Sequence, residues 1–134
     1  MTPGDSSRWG ASIGVAVITH AARRHLPHCL PPYLSSPLRP RILVVNSSSG
    51  DGTVELAREL GAETLVIPRR AFNHGSTREL ARRHLATDIV CMATPDAYPV
   101  DEQMLGKLVA PLLEGRASVA YARQVPREAA GTLE

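Results

Sequence analysis

Residues 94–99, TPDAYP, place Asp96 between two prolines directly after the apolar run Ile89–Ala93. Prolines end strands because they donate no backbone hydrogen bond, and aspartate is a common turn residue, so a plain loop accounts for the stretch. A second account has chemistry in it. If Ile89–Ala93 is a buried strand of an open parallel sheet, Asp96 stands at the carboxyl edge of that sheet, where ligands bind and where a carboxylate can hold a cation.

Two other loops carry comparable groups. NSSSGDGT, residues 46–53, sets small residues and free backbone N–H groups ahead of a helix, a setting that attracts anions. A well-capped helix after a flexible turn also explains it. The stretch has neither GxGxxG nor GxxxxGK[ST] spacing, which excludes a dinucleotide fingerprint and a P-loop. In FNHGSTR, residues 72–78, Arg78 comes early in a helix, where the dipole disfavours a cation. A bound anion such as a diphosphate would offset that cost, and a solvated arginine is the alternative. His74 reads as a ligand, a base or a loop histidine bonded to backbone. A metal site built from His20, His25 and His28 is disfavoured, because Pro27 interrupts any helical face that would gather them.

The elements that must position these groups follow from the apolar periodicity. Ile13–Ile18 is a short β-branched run ending at Thr19-His20, and reads as a buried strand. Ala21–Leu34 is compatible with helix but carries Pro27, Pro31 and Pro32, which predicts a short or broken one. Arg41–Val45 and Glu63–Ile67 are further strands. Val54, Leu56, Ala57 and Leu60 recur at helical spacing, with Asp51 or Thr53 as cap and Gly61 as stop. A second clear helix covers Ser76–Ala86, with Leu80, Ala81 and Leu85 inward and Arg78, Arg82 and Arg83 outward. A third covers Asp101–Leu113, with Leu105, Leu108, Val109 and Leu112 on one buried face and a stop near Gly115. Ala117–Tyr121 has the composition of one more strand. Strands alternating with helices of this length specify an α/β fold with a mainly parallel sheet covered on both faces.

That topology brings the chemistry together. The strand-end loops Thr19-His20, Asn46-Ser47-Ser48, Arg69-Arg70 and Thr94-Pro95-Asp96 would share one edge, collecting an imidazole, hydroxyls, arginines and a carboxylate. Such a set suits a nucleoside diphosphate with a divalent metal.

Whole-chain properties bound the alternatives. The 134 residues are 43% hydrophobic and suit a single domain. Lys+Arg 15 against Asp+Glu 13 gives a net charge of +2, and only 4% of residues are aromatic, so nucleic acid is not an expected partner. Cys29 and Cys91 have neither metal-ligand nor disulfide-framework spacing, and reduced thiols in a reducing cytosol fit them best. No apolar stretch approaches the roughly 20 residues that span a bilayer. Met1–Gly10 lacks the basic start and apolar middle of a signal peptide. The expected location is cytoplasmic, with a peripheral contact at the inner membrane face open through the arginines.

The quoted motifs resemble one family. VVNSSSGDGTVELAREL is similar to the second strand and helix of inverting family 2 glycosyltransferases, whose usual form is VVDxGSxDGTxE. FNHGSTREL resembles the FNHGGTRN of their rhamnosyltransferase-like branch, TPDAYP its TQDAxP, and ARQVPR, residues 122–127, its GRQxPR. The likeness runs from about Ile13 to Arg127. It implies a Rossmann-like GT-A fold, of which this chain would be the N-terminal half, and a nucleotide-sugar donor, dTDP-rhamnose in the branch named. The expected organisation is a leader 1–11, a donor-binding domain 12–127 and a tail 128–134.

By the resemblance, donor-binding positions are Thr19, His20, Asn46, Ser47, Arg78 and Asp96. His20 stands where relatives carry a tyrosine against the base, and Asn46 where they carry an aspartate at the base or ribose. Arg78 matches an arginine near the base and diphosphate. Asp96 matches the last acid of the DxD motif, which holds Mg²⁺ or Mn²⁺ on the diphosphate, and Thr94 stands at the first. Glu79 and Ser76 depart from the branch's asparagine and glycine.

The family's acceptor-binding half, with the general base that deprotonates the acceptor hydroxyl, has no counterpart in these residues. The resemblance therefore implies a truncated or split product, weakly active or inactive alone, with the acceptor (a glycan or lipid-linked glycan) and any partner chain or second copy covering that face left open. A non-catalytic nucleotide-binding module and a plain α/β scaffold domain are the competing expectations.

Overall fold

The computed structural model describes residues 11–123 and 125. The leader apart from Ala11, the tail, and Gln124, Pro126 and Arg127 of ARQVPR lie outside the described residues. Four strands, β1 (Ile13–Thr19), β2 (Arg41–Asn46), β3 (Glu63–Val66) and β4 (Ile89–Ala93), form one sheet in the order β3-β2-β1-β4. Every pairing is parallel. Thr19 lies opposite Asn46, Asn46 opposite Val66, and Val17 opposite Ala93. All four strands therefore deliver their following loops to the same edge.

Alternation along the strands builds two apolar layers. Ile13, Val15 and Val17 of β1 and Ile42 and Val44 of β2 face one side, where they meet helix α1 (Leu26–Leu34), Ala57 of α2 (Thr53–Leu60), and Leu105 and Val109 of α4 (Met104–Leu113). Ala16, Leu43 and Val45 face the other side and meet Ala81 and Leu85 of α3 (His74–Leu85). The central strands are buried on both faces, as crossover helices require of a parallel sheet.

The region 21–34 is short and divided, as its prolines predict. A 3₁₀ turn, Arg23–His25, precedes α1, and Pro27 occupies the first turn, where a missing N–H costs nothing. Pro31 and Pro32 nevertheless sit inside the helix. α2 ends where Gly61 adopts φ +110°; the N–H groups of Gly61 and Ala62 return to Arg58 O and Ala57 O at 3.1 and 3.0 Å, the paired bonds of a Schellman stop.

Several expectations are corrected. Leu80 is not inward but 42% exposed, because α3 presents Thr77, Ala81 and Leu85 to the sheet, a four-residue spacing that rotates position 80 away. Ile89–Ala93 is not a fully buried strand: among the described residues it pairs only with β1, and Met92 is 38% exposed on the α3 side. Residues 117–121 form no strand, and Tyr121 is 90% exposed. β3 stops at Val66 and α4 begins at Met104 rather than Asp101, with Asp101 in a turn where its Oδ1 accepts Gln103 N–H at 2.9 Å. On α4 only Leu105 and Val109 are buried; Leu108 and Leu112 are half-buried.

Candidate functional site

Thr19, His20, Asn46 and Ser47 come together at the ends of the two central strands. Thr19, Asn46 and Ser47 are buried, and Asn46 is 2% exposed. Thr19 Oγ1 donates its one proton to Val45 O at 2.9 Å. The Asn46 amide is therefore oriented with its NH₂ toward Thr19, 3.0 Å from Oγ1 and 3.3 Å from the carbonyl, while its oxygen accepts the Ser49 N–H at 3.2 Å. A backbone bond from Ser47 N to Thr19 O, 3.1 Å, closes the cluster. The exposed His20 ring is fixed from below, its Nδ1 lying 2.8 Å from Ser47 Oγ and 3.2 Å from Ser47 O.

The rest of the serine loop is equally ordered. Ser48 holds φ +58°, and its Oγ donates to Ile67 O at 2.6 Å. Asp51 Oδ1 accepts from Ser49 Oγ at 2.7 Å, from Thr53 N–H at 3.2 Å and from Thr53 Oγ1. The N-cap of α2 is Gly52 rather than Asp51 or Thr53; Asp51, one residue before it, accepts the first N–H of the helix, and Thr53 links onward, its Oγ1 accepting Ala22 N–H at 3.2 Å. These bonds, the one from Thr53 Oγ1 foremost, hold the Asp51 carboxyl down at about 2. Gly52, at φ +88°, has Arg23 across it: a Cβ there would meet Nη1 at 2.7 Å, and that nitrogen donates to Gly52 O at 3.0 Å. Beside it an open groove of about 700 Å³ is lined by Ala21, Arg23, Arg24, Pro27, Asp51 and Leu56.

Asp96 and Arg78 lie on other elements, Asp96 in the loop after β4 and Arg78 on α3. Continuing the β1–β4 register past Ala93 sets Thr94 and Pro95 beside the end of β1, and Asp96 follows on the exposed surface. The loop leans on α1: Cys29 Sγ–H donates to Thr94 O at 3.9 Å, and Tyr98 OH lies 2.8 Å from His25 Nδ1. Burial, with a smaller contribution from the Asp96 charge, pushes the Cys29 thiol up to about 12, so this is an inert structural cysteine. Both cysteines are free. Arg78 is exposed in the second turn of α3, whose start is capped by Asn73 Oδ1 accepting Ser76 N–H at 3.1 Å, with Asn73 N–H donating to Thr77 Oγ1 at 3.2 Å. Glu79, one residue on, bridges Arg82 and Arg83.

His25 and His28 do gather, contrary to the reading that Pro27 would scatter them. Pro27 lies in the first turn and does not break the helix. They meet around Tyr98, whereas His20 bonds to Ser47. Tyr98 was the residue missed by sequence reasoning; an aromatic between loop prolines gave no periodic signal.

The profile of the family described as Glycosyl transferase family 2 matches residues 15–133. The chain belongs to this family. No curated protein matches it. Among solved structures, mannosyl-3-phosphoglycerate synthase from Rubrobacter xylanophilus is similar at TM-score 0.67 and 21% identity, over 85% of this chain and 42% of that one. Glucosyl-3-phosphoglycerate synthase from Mycobacterium tuberculosis, solved with Mn²⁺, UDP and glucosyl-3-phosphoglycerate, is similar at TM-score 0.65 and 22% identity, over 84% of this chain and 46% of that one. A mannosyltransferase from Pyrobaculum calidifontis, solved with GDP-Man and Mn²⁺, gives TM-score 0.63 and 21% identity, over 78% and 36%. The chain spans under half the length of each. The fold is the Rossmann-like sheet of GT-A glycosyltransferases. No helix among the described residues is long and apolar enough to cross a membrane.

Proposed function

We propose that this chain binds a nucleoside diphosphate sugar across its carboxyl edge, with a divalent metal, for inverting transfer of the sugar to an acceptor. The observation that carries the reading is the convergence of the β1 and β2 loops into one hydrogen-bonded cluster, with the Asp96 loop on the adjoining strand. Family membership supports a glycosyltransferase, and two of the similar structures hold a nucleotide and Mn²⁺.

Each residue has a stated part. His20, its Nδ1 held by Ser47, offers an exposed and pre-oriented ring for the base, which reduces the ordering cost of binding. Asn46, whose amide is engaged with Thr19 and Ser49, holds these two loops in register at the donor edge. Arg78, with the start of α3, offers positive charge to the diphosphate.

For the metal, the donor chemistry fits a shared site. Among the described residues no group of three His, Cys, Asp or Glu side chains could hold an ion. Asp96 would hold Mg²⁺ or Mn²⁺ together with diphosphate oxygens and water, a common arrangement for Mg²⁺. When bound, the metal supplies charge that stabilises the departing diphosphate.

Titration calorimetry with dTDP-, UDP- and GDP-sugars, each with and without Mn²⁺ or Mg²⁺, tests this. dTDP-rhamnose is the first donor to try, on the strength of FNHGSTREL and TPDAYP. Saturable binding tightened by metal is expected. No saturable heat with any donor would overturn the reading.

A further inference from the structure

The Asp96 loop follows the edge strand β4, and a metal ligand must be held to a fraction of an ångström. It is contacted by α1 and the 3₁₀ turn before it. His25 ends that turn as the N-cap of α1, and His28 and Cys29 follow on the helix three and four residues later. All three meet the loop: His25 Nδ1 lies 2.8 Å from Tyr98 OH, the His28 ring stacks on Tyr98 at 5.1 Å and 30°, and the Cys29 thiol donates to Thr94 O. The His25 ring is tilted 55° at 5.8 Å, so Tyr98 is gripped on its hydroxyl and on a ring face at once. Contacts at Thr94 and Tyr98 bracket Asp96 on both sides.

The same turn bears on the donor cluster. Arg23, two residues before His25, donates to Gly52 O, and the neighbouring Ala22 N–H bonds to Thr53 Oγ1. The segment 22–28 is therefore fastened to the serine loop at one end and to the Asp96 loop at the other. We infer that Tyr98, clamped between His25 and His28, is a positioning residue that sets the Asp96 carboxylate against the Thr19–Ser47 cluster. This rests on the reading of Asp96 as the donor-dependent metal ligand.

The clamp makes a separable prediction: it should act on the metal-dependent part of donor affinity and leave metal-free nucleotide affinity alone. Tyr98→Phe keeps the stack and loses the bond to His25; Tyr98→Leu loses both. Donor titrations at varied Mn²⁺ should show the metal-dependent enhancement reduced about threefold or more in Tyr98→Phe, the effect of one lost hydrogen bond, and further in Tyr98→Leu. Metal-free affinity should stay within about twofold, the size expected for a change outside the contact. A parallel thermal melt of Tyr98→Phe reads folding. Wild-type chain and Asp96→Asn run alongside separate the two claims. If wild type shows no metal enhancement, the metal reading itself falls and the clamp with it. If wild type is enhanced and Asp96→Asn is not, while both Tyr98 variants match wild type, the clamp alone is overturned. Equal loss of metal-free and metal-dependent affinity in Tyr98→Phe would also overturn it, since that marks a general disturbance of the fold.

Discussion

The loops after the central strands and the loop after the edge strand solve the same problem differently. Thr19, Asn46 and Ser47 are buried and fixed by one another's hydrogen bonds, on strands covered on both faces. Asp96 is exposed and follows the half-buried β4, and its loop neighbours Thr94 and Tyr98 contact α1 and the turn before it. The first arrangement is a rigid part of the core. The second is an exposed carboxylate carried on a tethered loop. Changes in the first should therefore register in stability, and changes in the second in binding.

The largest stability effect should come from Asn46→Ala. It strips partners from Thr19 and from the Ser49 N–H inside the protein, and buried groups left unsatisfied cost about 1–3 kcal/mol. A drop in the denaturation midpoint at unchanged slope would confirm it; a neutral substitution would mean the cluster is not a structural unit.

Next is Asp51→Ala, which removes the acceptor of the Ser49 and Thr53 hydrogen bonds at the start of α2 and should cost about 1 kcal/mol. Its pH dependence has a fixed sign. The folded carboxyl is depressed from its ordinary 3.8 to about 2, so its contribution is present above 3.8 and is lost as pH falls through about 2. Asp51 is exposed, and solvent screening keeps this pH-linked part under about 1 kcal/mol. Wild type and Asp51→Ala should converge in stability on acidification from pH 5 to pH 2. Parallel curves would show the carboxylate makes no such contribution.

The smallest should be Asp96→Asn, within about 0.5 kcal/mol of wild type, as for surface changes generally. A loss as large as that of Asn46→Ala would erase the contrast between the two regions.

Much of this was legible in the sequence because it rests on local rules. The β-branched runs, Gly61 as stop, and polar residues closing each strand specify the sheet and place the loops on one edge. What escaped depends on partners distant in the chain. The outward turn of Leu80 reflects the sheet's choice of Thr77, Ala81 and Leu85 as the packed face, and no count of apolar residues on α3 predicts it. The partial exposure of β4 follows from its place at the edge of the order β3-β2-β1-β4, which composition does not encode. Residues 117–121 have the composition of a strand but make no strand pairing here. The enclosure of Tyr98 by His25 and His28 joins positions 70 or more apart, and Pro27 pointed the other way because its tolerance depends on lying in the first helical turn.

The most direct test of the account is nucleotide-dependent paramagnetic broadening of backbone amide resonances by Mn²⁺ on isotope-labelled chain. With a nucleoside diphosphate sugar present, trace Mn²⁺ should broaden the amides of residues 94–98 first and those around Thr19–His20 and Asn46–Ser49 next, and the pattern should vanish in Asp96→Asn. Without nucleotide these signals should be little affected, since Asp96 is the only carboxylate assigned to the ion. Broadening independent of nucleotide, or centred on another acidic site such as Asp101–Glu102, would contradict the account.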